Sequence, residues 1–511
     1  MENDRCSATP RKGEAPAAVR CKPVERRQLL LRTVDVEKLV AEDHPVRAIW
    51  ELVGRLDLQP FYVDIGAVEG VAGRPVWDPH LLISLWIYAY KEGVSSAREI
   101  TRLCGYHPGY QWLTGMEVVN YHTLADFRIH HRQALDRLFG EVLGVLSHQG
   151  LITLQRVMHD GTKVKACASD KSFRRKGTLQ DHLRLAREQV ERMGDPRSEE
   201  VSQRAAQARQ RALREKRQRL EEALQELERI EIARSESLEK KKKEPRVSTT
   251  DPQARVMLQA KGAYGPAYNV QISTDAEAKI IVGVGVSRSA NDAGELEPAV
   301  ERIEANLGGK PRQMVVDMGY TNQATIEVMA QKKIDLIGPL PERRDAPWNR
   351  LKRRGVSPDF YPQAFGYDAS ADRYACPAGK MLAFETQERE RGWVRRRYRA
   401  RASDCQACPF ETQCCPKTKR GRSLVRREQM PELAAFQAKM ETAEAKEIYK
   451  QRAEVAEFPH AWIKDKMGLR QFRLRGLAKV TLEALWVSLT YNICQWIRLR
   501  WKPQRQAEAW G

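Results

Sequence analysis

Two aspartates each follow an apolar run and stand close to a glycine: Asp160 in Val157-Met-His-Asp-Gly-Thr162, and Asp317 in Met314-Val-Val-Asp-Met-Gly-Tyr320. Carboxylate oxygens at the edge of a sheet suit Mg²⁺ or Mn²⁺, which keeps water and substrate phosphate among its ligands. Two such ions about 3.5 to 4 Å apart would activate a water or a 3′-hydroxyl and stabilise the leaving oxygen of a phosphodiester. Asp is also a common turn residue, and with 67 acidic residues some Asp ends a strand by chance. For either Asp alone the turn reading is favoured; for the pair in this strand order, the ion is. A third carboxylate is expected on the helix-prone stretch that carries Glu444, Glu447, Glu454 and Glu457, most of them explained by a solvated face. Glu457 stands two helical turns before Lys464, so on nearly the same face the ammonium could meet a DNA phosphate beside the ion. Pro459 between them is expected to kink the helix or restart it.

The second constellation is sulfur. Cys405-Gln-Ala-Cys408 is followed by Cys414-Cys415 and preceded by Cys376-Pro-Ala-Gly379. A Cys-x2-Cys pair with two further thiols suits a closed tetrahedral Zn²⁺ site of structural type, made by Cys376, Cys405, Cys408 and Cys414, with Cys415 the alternative fourth ligand. Free buried thiols are the bland reading, disfavoured by the Pro and Gly neighbours. Ten cysteines in 511 residues are too few for a disulfide scaffold.

The elements that must position these residues follow from periodicity. Residues 1–33 read as a flexible basic arm, and 34–150 as a helical, DNA-binding domain in which Val46, Ile49, Trp50 and Val53 repeat at helical spacing. Leu81 to Tyr90 is a helix-length apolar run, and Ser96-Ala-Arg-Glu99 a capping box; the two helices suit a helix-turn-helix or ordinary packing. Strand texture starts at Leu151 and runs to Asp160, with a turn expected at Gly161-Thr162. A charged helical hairpin, with Leu213, Leu220 and Leu227 a heptad apart, is expected to interrupt the core over residues 177–246, breaking at Gly194-Asp-Pro196 and leaving by the flexible Lys240 to Lys243. Strands Ala267 to Ser273 and Lys279 to Val286 form a hairpin, followed by a helix from Glu295 to Leu307, strand Gln313 to Asp317, a helix from Asn322 to Gln331 and strand Ile334 to Ile337. This α/β order, a mixed sheet with helices packed on it, matches the ribonuclease-H-like layout and fills 151–339. A Cys-rich insertion occupies 340–431, and C-terminal helices of the catalytic core occupy 432–511.

Charge names the partner class. Lys+Arg 87 against Asp+Glu 67 gives a net +20, which favours a polyanion such as DNA or RNA, although ribosomes and anionic lipids share that preference. Arg389, Arg391, Arg395, Arg396, Arg397, Arg399 and Arg401 interleave with Trp393 and Tyr398, a mixture that can track phosphates and stack on bases. Phosphate contact is also expected from Arg470, Arg473, Arg475 and Lys479. With no apolar span of about 18 residues, a cytoplasmic protein without a membrane segment is expected.

Together these blocks resemble the DDE transposases of bacterial insertion sequences, in the branch that joins an InsH-like N-terminal domain to a ribonuclease-H-like core. The resemblance covers about residues 34–500 and rests on Tyr121-His-Thr-Leu-Ala-Asp-Phe-Arg128, Asp160-Gly-Thr-Lys-Val-Lys-Ala166 and Val315-Val-Asp-Met-Gly-Tyr-Thr-Asn322. Tyr449, Arg452, Glu457 and Lys464 match its third block, and Gly468 to Gly476 with Tyr491-Asn492 its C-terminal extension. His460-Ala461 stands where many relatives have Phe-Gly. The resemblance implies that Asp160, Asp317 and Glu457 carry the catalytic metal, that Tyr449, Arg452 and Lys464 hold DNA near the cut, and that the protein works in the bacterial nucleoid as a homodimer or higher oligomer on DNA. Cleavage at mobile-element ends and strand transfer into target DNA are the expected reaction; a stand-alone nuclease or a non-catalytic repressor derived from a transposase are the alternatives.

Overall fold

The computed structural model describes residues 33–510 apart from 64, 68–74, 193–202, 236–243, 260–261, 341–350, 391–392, 418–419 and 430. The N-terminal arm up to residue 32, the hairpin break at Gly194-Asp-Pro196, the exit at Lys240 to Lys243 and Arg391 lie outside the described residues.

Helices fill the chain from Pro45 to His148. Among them α1, Pro79–Lys91, opens with Pro at its first position while the Asp78 carboxylate accepts the His80 N–H, and Leu81 through Tyr90 are all buried. A helix apolar on every side is a core element. Of the two helices considered for DNA recognition, only Ala97–Cys104, capped by Ser96, presents an exposed side.

The central sheet is mixed. β1, Arg156–Lys165, lies in its middle, followed by β2, Arg255–Leu258, β3, Tyr264–Asp275, β4, Ile281–Ser287, β5, Gln313–Val315, and β6, Asp335–Ile337. β3 pairs antiparallel with β1 on one side and with β2 and β4 on the other, whereas β5 pairs parallel with β1, and β6 parallel with β5. The expected turn after Asp160 does not form: β1 continues through Gly161 and Thr162, which face Gln271 and Val270 of β3. β3 is long enough to keep supplying backbone partners as far as the Lys165–Ala267 pair, so the ladder has no reason to end at the aspartate.

The hairpin insertion consists of α2, Lys176–Arg192, and α3, Gln203–Ser235, closed by a small core of its own with Leu179, Leu183, Ala186, Leu220, Ala223 and Leu227. The heptad seam is thus real from Leu220 onward. Helices α4, Leu296–Leu307, and α5, Gln323–Gln331, connect the later strands of the main sheet, α5 opening where Asn322 accepts the Thr325 N–H. In the Cys-rich region the arginine run forms β10, Trp393–Ala400, in a five-stranded antiparallel sheet with β7, Gly366–Asp368, β8, Arg373–Ala375, β9, Met381–Glu390, and β11, Ser423–Gln429. α6, Arg452–Asp465, holds as one helix with Pro459 inside it, where a kink or a restart is expected from the sequence. Burial of Val455, Ala456, Pro459, His460 and Ile463 along one side offsets the hydrogen bond that proline removes.

α7, Leu477–Trp496, joins the two halves of the molecule. It is buried along most of its length, and one apolar core extends without a break from the N-terminal helices through α7 to the main sheet. Asn492 on α7 accepts the Ile281 N–H at 2.9 Å and donates to the Ile281 carbonyl at 2.8 Å, while the Tyr491 hydroxyl donates to the Lys279 carbonyl at 2.9 Å. On the other side the Trp486 indole donates to the Arg128 carbonyl, and the buried Arg128 guanidinium stacks 4.5 Å from the Trp86 ring centre and donates to the Ser95 carbonyl. No helix among the described residues is long and apolar enough to cross a membrane.

Replacing Asn492 by Ala leaves the Ile281 N–H and carbonyl buried without partners, an expected cost of about 1–3 kcal/mol. Chemical unfolding of the two proteins side by side checks this; coincident midpoints would mean that water replaces the amide freely.

Candidate catalytic carboxylate site

The parallel pairing of β1 with β5 sets the site. Met158 pairs with Val315, and Asp160 and Asp317 each come two residues later, so the alternation of a strand sends both side chains to the same face. Arg452, the first residue of α6, lies between them, its Nη2 3.6 Å from Asp160 Oδ1 and 3.8 Å from Asp317 Oδ2. The guanidinium is 13% exposed, and its Nε has no hydrogen-bond partner among the described residues. Burial pushes the Asp160 carboxyl up to about 6; Arg452 and the Gly161 N–H pull it down, and Asp317 and Asp292 push it further up. Two carboxylates thus share one cation that is not tightly bonded to either.

The surroundings of the pair are crowded and polar. Asp317 Oδ1 accepts the Gly319 N–H at 2.7 Å. A Cβ on Gly161 would stand 2.5 Å from Gln271 Nε2, 2.8 Å from Asp292 Oδ1 and 2.8 Å from the Tyr320 hydroxyl. Gly161 is therefore required by close approach, at a position where the sequence suggests a turn. Asp292 accepts from Asn269 at 2.6 Å and from Gln271 at 2.8 Å and pairs with Lys163 at 3.4 Å, while Tyr320 donates to Gln271 Oε1 at 2.6 Å. Burial and the neighbouring carboxylates of Asp292, Asp160 and Asp317 raise the Tyr320 phenol far above its ordinary value, so it stays a donor.

From α6, Lys464 donates to the Thr162 hydroxyl; burial lowers its ammonium pKa against the pull of Asp160. His460 is buried, held neutral by desolvation at about 3, and neither ring nitrogen has a hydrogen-bond partner among the described residues. Tyr449 packs partly against Met158, Val315 and Val455 beneath the pair, with its phenol pKa raised by burial. Glu457 is exposed on α6, on the stripe that leads to Lys464, and Glu454 is engaged by Lys279 at 2.7 Å. Among the described residues no three His, Cys, Asp or Glu side chains are placed together as a metal-holding group. The structure therefore brings Asp160 and Asp317 together and leaves Glu457 outside the pair, contrary to the expected trio: Glu457 lies on the solvent side of α6, whose inner side is taken by Val455, Ala456, Pro459 and His460.

Residues 34–130 match the family model described as transposase domain DUF772, and residues 375–497 match the one described as transposase DDE domain. Both stretches are thus similar to domains of transposases. A match to a transposase DDE domain implies phosphoryl transfer. Glu457 falls inside the second matched stretch, whereas Asp160 and Asp317 lie outside both. No curated protein matches the chain. A solved piggyBac transposase synaptic complex with hairpin DNA is similar over 91% of this chain and 75% of that one, at 8% identity and a TM-score of 0.32, a likeness too low to carry an argument.

In the Cys-rich region the cysteines expected to bind zinc do gather. Cys376, Cys405, Cys408, Cys414 and Cys415 line one cavity of about 30 Å³, with Cys376 Sγ accepting the Lys380 N–H at 3.2 Å and Cys405 Sγ the Arg422 N–H at 3.3 Å. Burial raises the Cys414 thiol pKa, with Cys405, Cys376 and Cys408 adding to the rise, and burial pushes Cys415 up to about 12. The sulfurs line a common space but, among the described residues, are not set out as a closed ligand group. Arg473, Arg475 and Lys479 are exposed beyond the end of β1.

Asp292, Thr162 and His460 enter the site without having been singled out in the sequence. Asp292 sits in Ser289-Ala-Asn-Asp292, a turn-like cluster behind a strand, and nothing in its spacing separates it from an ordinary loop. Alanine at Gly161 is expected to destabilise the protein by about 1–3 kcal/mol through overpacking. A thermal melt checks this, and an unchanged midpoint would show that Gln271, Asp292 and Tyr320 can part at no cost.

Proposed function

We propose that the chain cuts DNA at the ends of a mobile element and joins the freed 3′-hydroxyl to target DNA. The single observation that carries this reading is the pairing of Asp160 and Asp317 at the junction where the sheet changes from antiparallel to parallel, both in reach of one cation. Four strands joined antiparallel and two added in parallel, with helices on the sheet, support a ribonuclease-H-like core. Asp160 and Asp317, with Glu457 on the adjoining helix as the third carboxylate, are the residues that would hold Mg²⁺ or Mn²⁺. Their hard oxygen donors fit such an ion, and two half-buried carboxylates need a cation nearby, a demand that Arg452 meets only at 3.6 and 3.8 Å. A bound divalent ion supplies Lewis acidity toward the phosphate and a more acidic water or hydroxyl.

The remaining work belongs to the chain's own groups. Lys464, fixed by Thr162, and Arg452 present positive charge on both sides of Asp160, where a scissile phosphate would be oriented. Arg452 keeps the two carboxylates together until a phosphate competes for it. Tyr320 and Asp292 hold the backbone around Gly161 in place. Arg473 and Arg475 contact DNA outside the cut, and joining two element ends calls for a dimer or higher oligomer. Four thiols around one cavity supply soft donors suited to structural Zn²⁺ at Cys376, Cys405, Cys408 and Cys414. The exposed position of Glu457 favours the second reading, a non-catalytic DNA-binding repressor.

Asp160→Asn is expected to abolish Mg²⁺-dependent nicking of labelled element ends while end binding persists; nicking at the wild-type rate would refute the assignment, and a wild-type protein that binds ends but never nicks them would favour the repressor. Metal analysis of the purified protein is expected to find zinc that Cys405→Ser loses, and a metal-free wild type would rule the zinc site out.

A further inference from the structure

The hairpin insertion has a charge polarity that its packing does not use. In the half of α3 that packs on α2 stand Glu221, Glu222, Glu226, Glu228 and Glu231, whereas residues 207–219 carry Arg209, Arg211, Arg214, Lys216, Arg217 and Arg219 against the single acid Glu215. At 100° per residue these six side chains point all round the helix, so this half is cationic on every side. Its apolar seam has ended: among residues 207–220 of α3 Leu220 is the first buried one, and Arg209, Arg211, Arg214 and Lys216 are exposed. Cations three apart, such as Arg211 with Arg214 and Lys216 with Arg219, repel one another, and only Glu215 and the Arg217–Glu221 pair offset them.

The mount of this helix is firm. Glu226 is buried and pairs with both Arg255 on β2 and Arg288 just after β4, and Lys176 meets Glu231 at 2.9 Å across the hairpin. A strongly repulsive surface is thus held rigidly against the core. It also has a facing wall. Arg219 lines a cleft of about 690 Å³ together with Arg473, Arg475 and Lys479 from the segment before and at the start of α7, cations that outnumber the acids Glu215, Glu222 and Asp251 on its walls. That segment runs alongside the end of β1 as a parallel bridge, since the Phe472 N–H donates to the Lys165 carbonyl at 2.9 Å and the Lys165 N–H donates to the Arg470 carbonyl. Positive charge therefore runs from Lys464 beside Thr162, along the end of β1, through Arg473 and Arg475 and on to α3.

We propose that the basic half of α3 and the facing wall of this cleft form a sequence-independent track for the backbone of duplex DNA next to the cut. From Arg209 to Arg219 the helix rises about 15 Å, the length over which a duplex presents several phosphates. The contact itself stands on charge and placement; its position next to a cut rests on the transposase reading above. Contacts of this kind release counterions, so they are read from the salt dependence of affinity.

The test uses the full chain and a 40-base-pair duplex of arbitrary sequence, with binding followed by fluorescence anisotropy over a KCl series. Substituting Arg209→Gln, Arg211→Gln, Arg214→Gln and Lys216→Gln together is expected to weaken binding at low salt by about tenfold or more and to make the slope of log K against log [KCl] shallower by about three. A companion with Arg209→Lys, Arg211→Lys and Arg214→Lys keeps the charge and is expected to keep the wild-type slope. Coincident slopes for wild type and the Gln variant overturn the proposal, as does a Lys companion that fails like the Gln variant, or a loss confined to single-stranded RNA. Nicking of element ends is measured on the same wild-type preparation. Slopes that differ while the wild type cuts no DNA leave the track standing and sink the transposase reading; equal slopes in a wild type that nicks normally do the reverse.

Discussion

Electrostatic repulsion between Asp160 and Asp317 is the constraint around which the molecule is arranged. Both are half-buried and on one face, and Asp317 adds to the cost of ionising Asp160 that burial imposes, which Arg452 offsets. The sheet imposes this closeness through the parallel register of β1 and β5, and the first residue of α6 relieves it by placing Arg452 in reach of both. The position of α6 is thus electrostatic as much as hydrophobic. Its inner side packs Val455, Ala456, Pro459 and His460, while its two ends deliver Arg452 and Lys464 to opposite sides of the same aspartate. Behind the pair, the absence of a side chain at Gly161 lets Gln271, Asp292 and Tyr320 close together, so that the backbone carrying Asp160 is fixed from the rear.

Several residues that belong to the recognisable blocks turn out to hold the molecule together. Arg128 closes the block that begins at Tyr121, and it is buried on Trp86 beneath Trp486 of α7. Tyr491 and Asn492 tie α7 to the hairpin between β3 and β4 through backbone groups. Glu483, buried near Arg128, accepts the N–H groups of Arg473 and Leu474 and so shapes the segment that carries the exposed arginines. Blocks recognisable in the sequence therefore mix chemistry with joinery, and only the structure separates the two.

Strand order, the placement of Asp160 and Asp317 on adjacent strands and the existence of a helical insertion were legible in the sequence, because alternation and heptad spacing report directly on which side is buried. Other features were not. A glycine that makes room for a tyrosine looks the same as a glycine that makes a turn, which is why β1 runs past Asp160 where the sequence suggests an end. Pro459 suggests a break, yet burial on one side keeps α6 whole. Glu457 has the spacing of a third ligand, but which way a helix turns is set by its contacts, and here it turns Glu457 to solvent. Asp292 left no trace, since its importance comes from β3 side chains distant in sequence, Asn269 and Gln271. Most of the arginine run lies on an inner strand of a small sheet, and the cysteines beside it share a cavity that composition alone could suggest but not shape.

α7 carries neither Asp160 nor Asp317 and is synthesised after both, yet it is a main bridge in the core that the N-terminal helices share with the sheet. A nascent chain therefore holds Asp160, Asp317 and Arg452 on the ribosome before the helix that unites the sheet with the N-terminal helices has emerged. Translation order thereby becomes a safeguard: a polypeptide arrested short of Trp496 exposes an unfinished apolar surface, a state suited to disposal by proteases and ill suited to gripping chromosomal DNA.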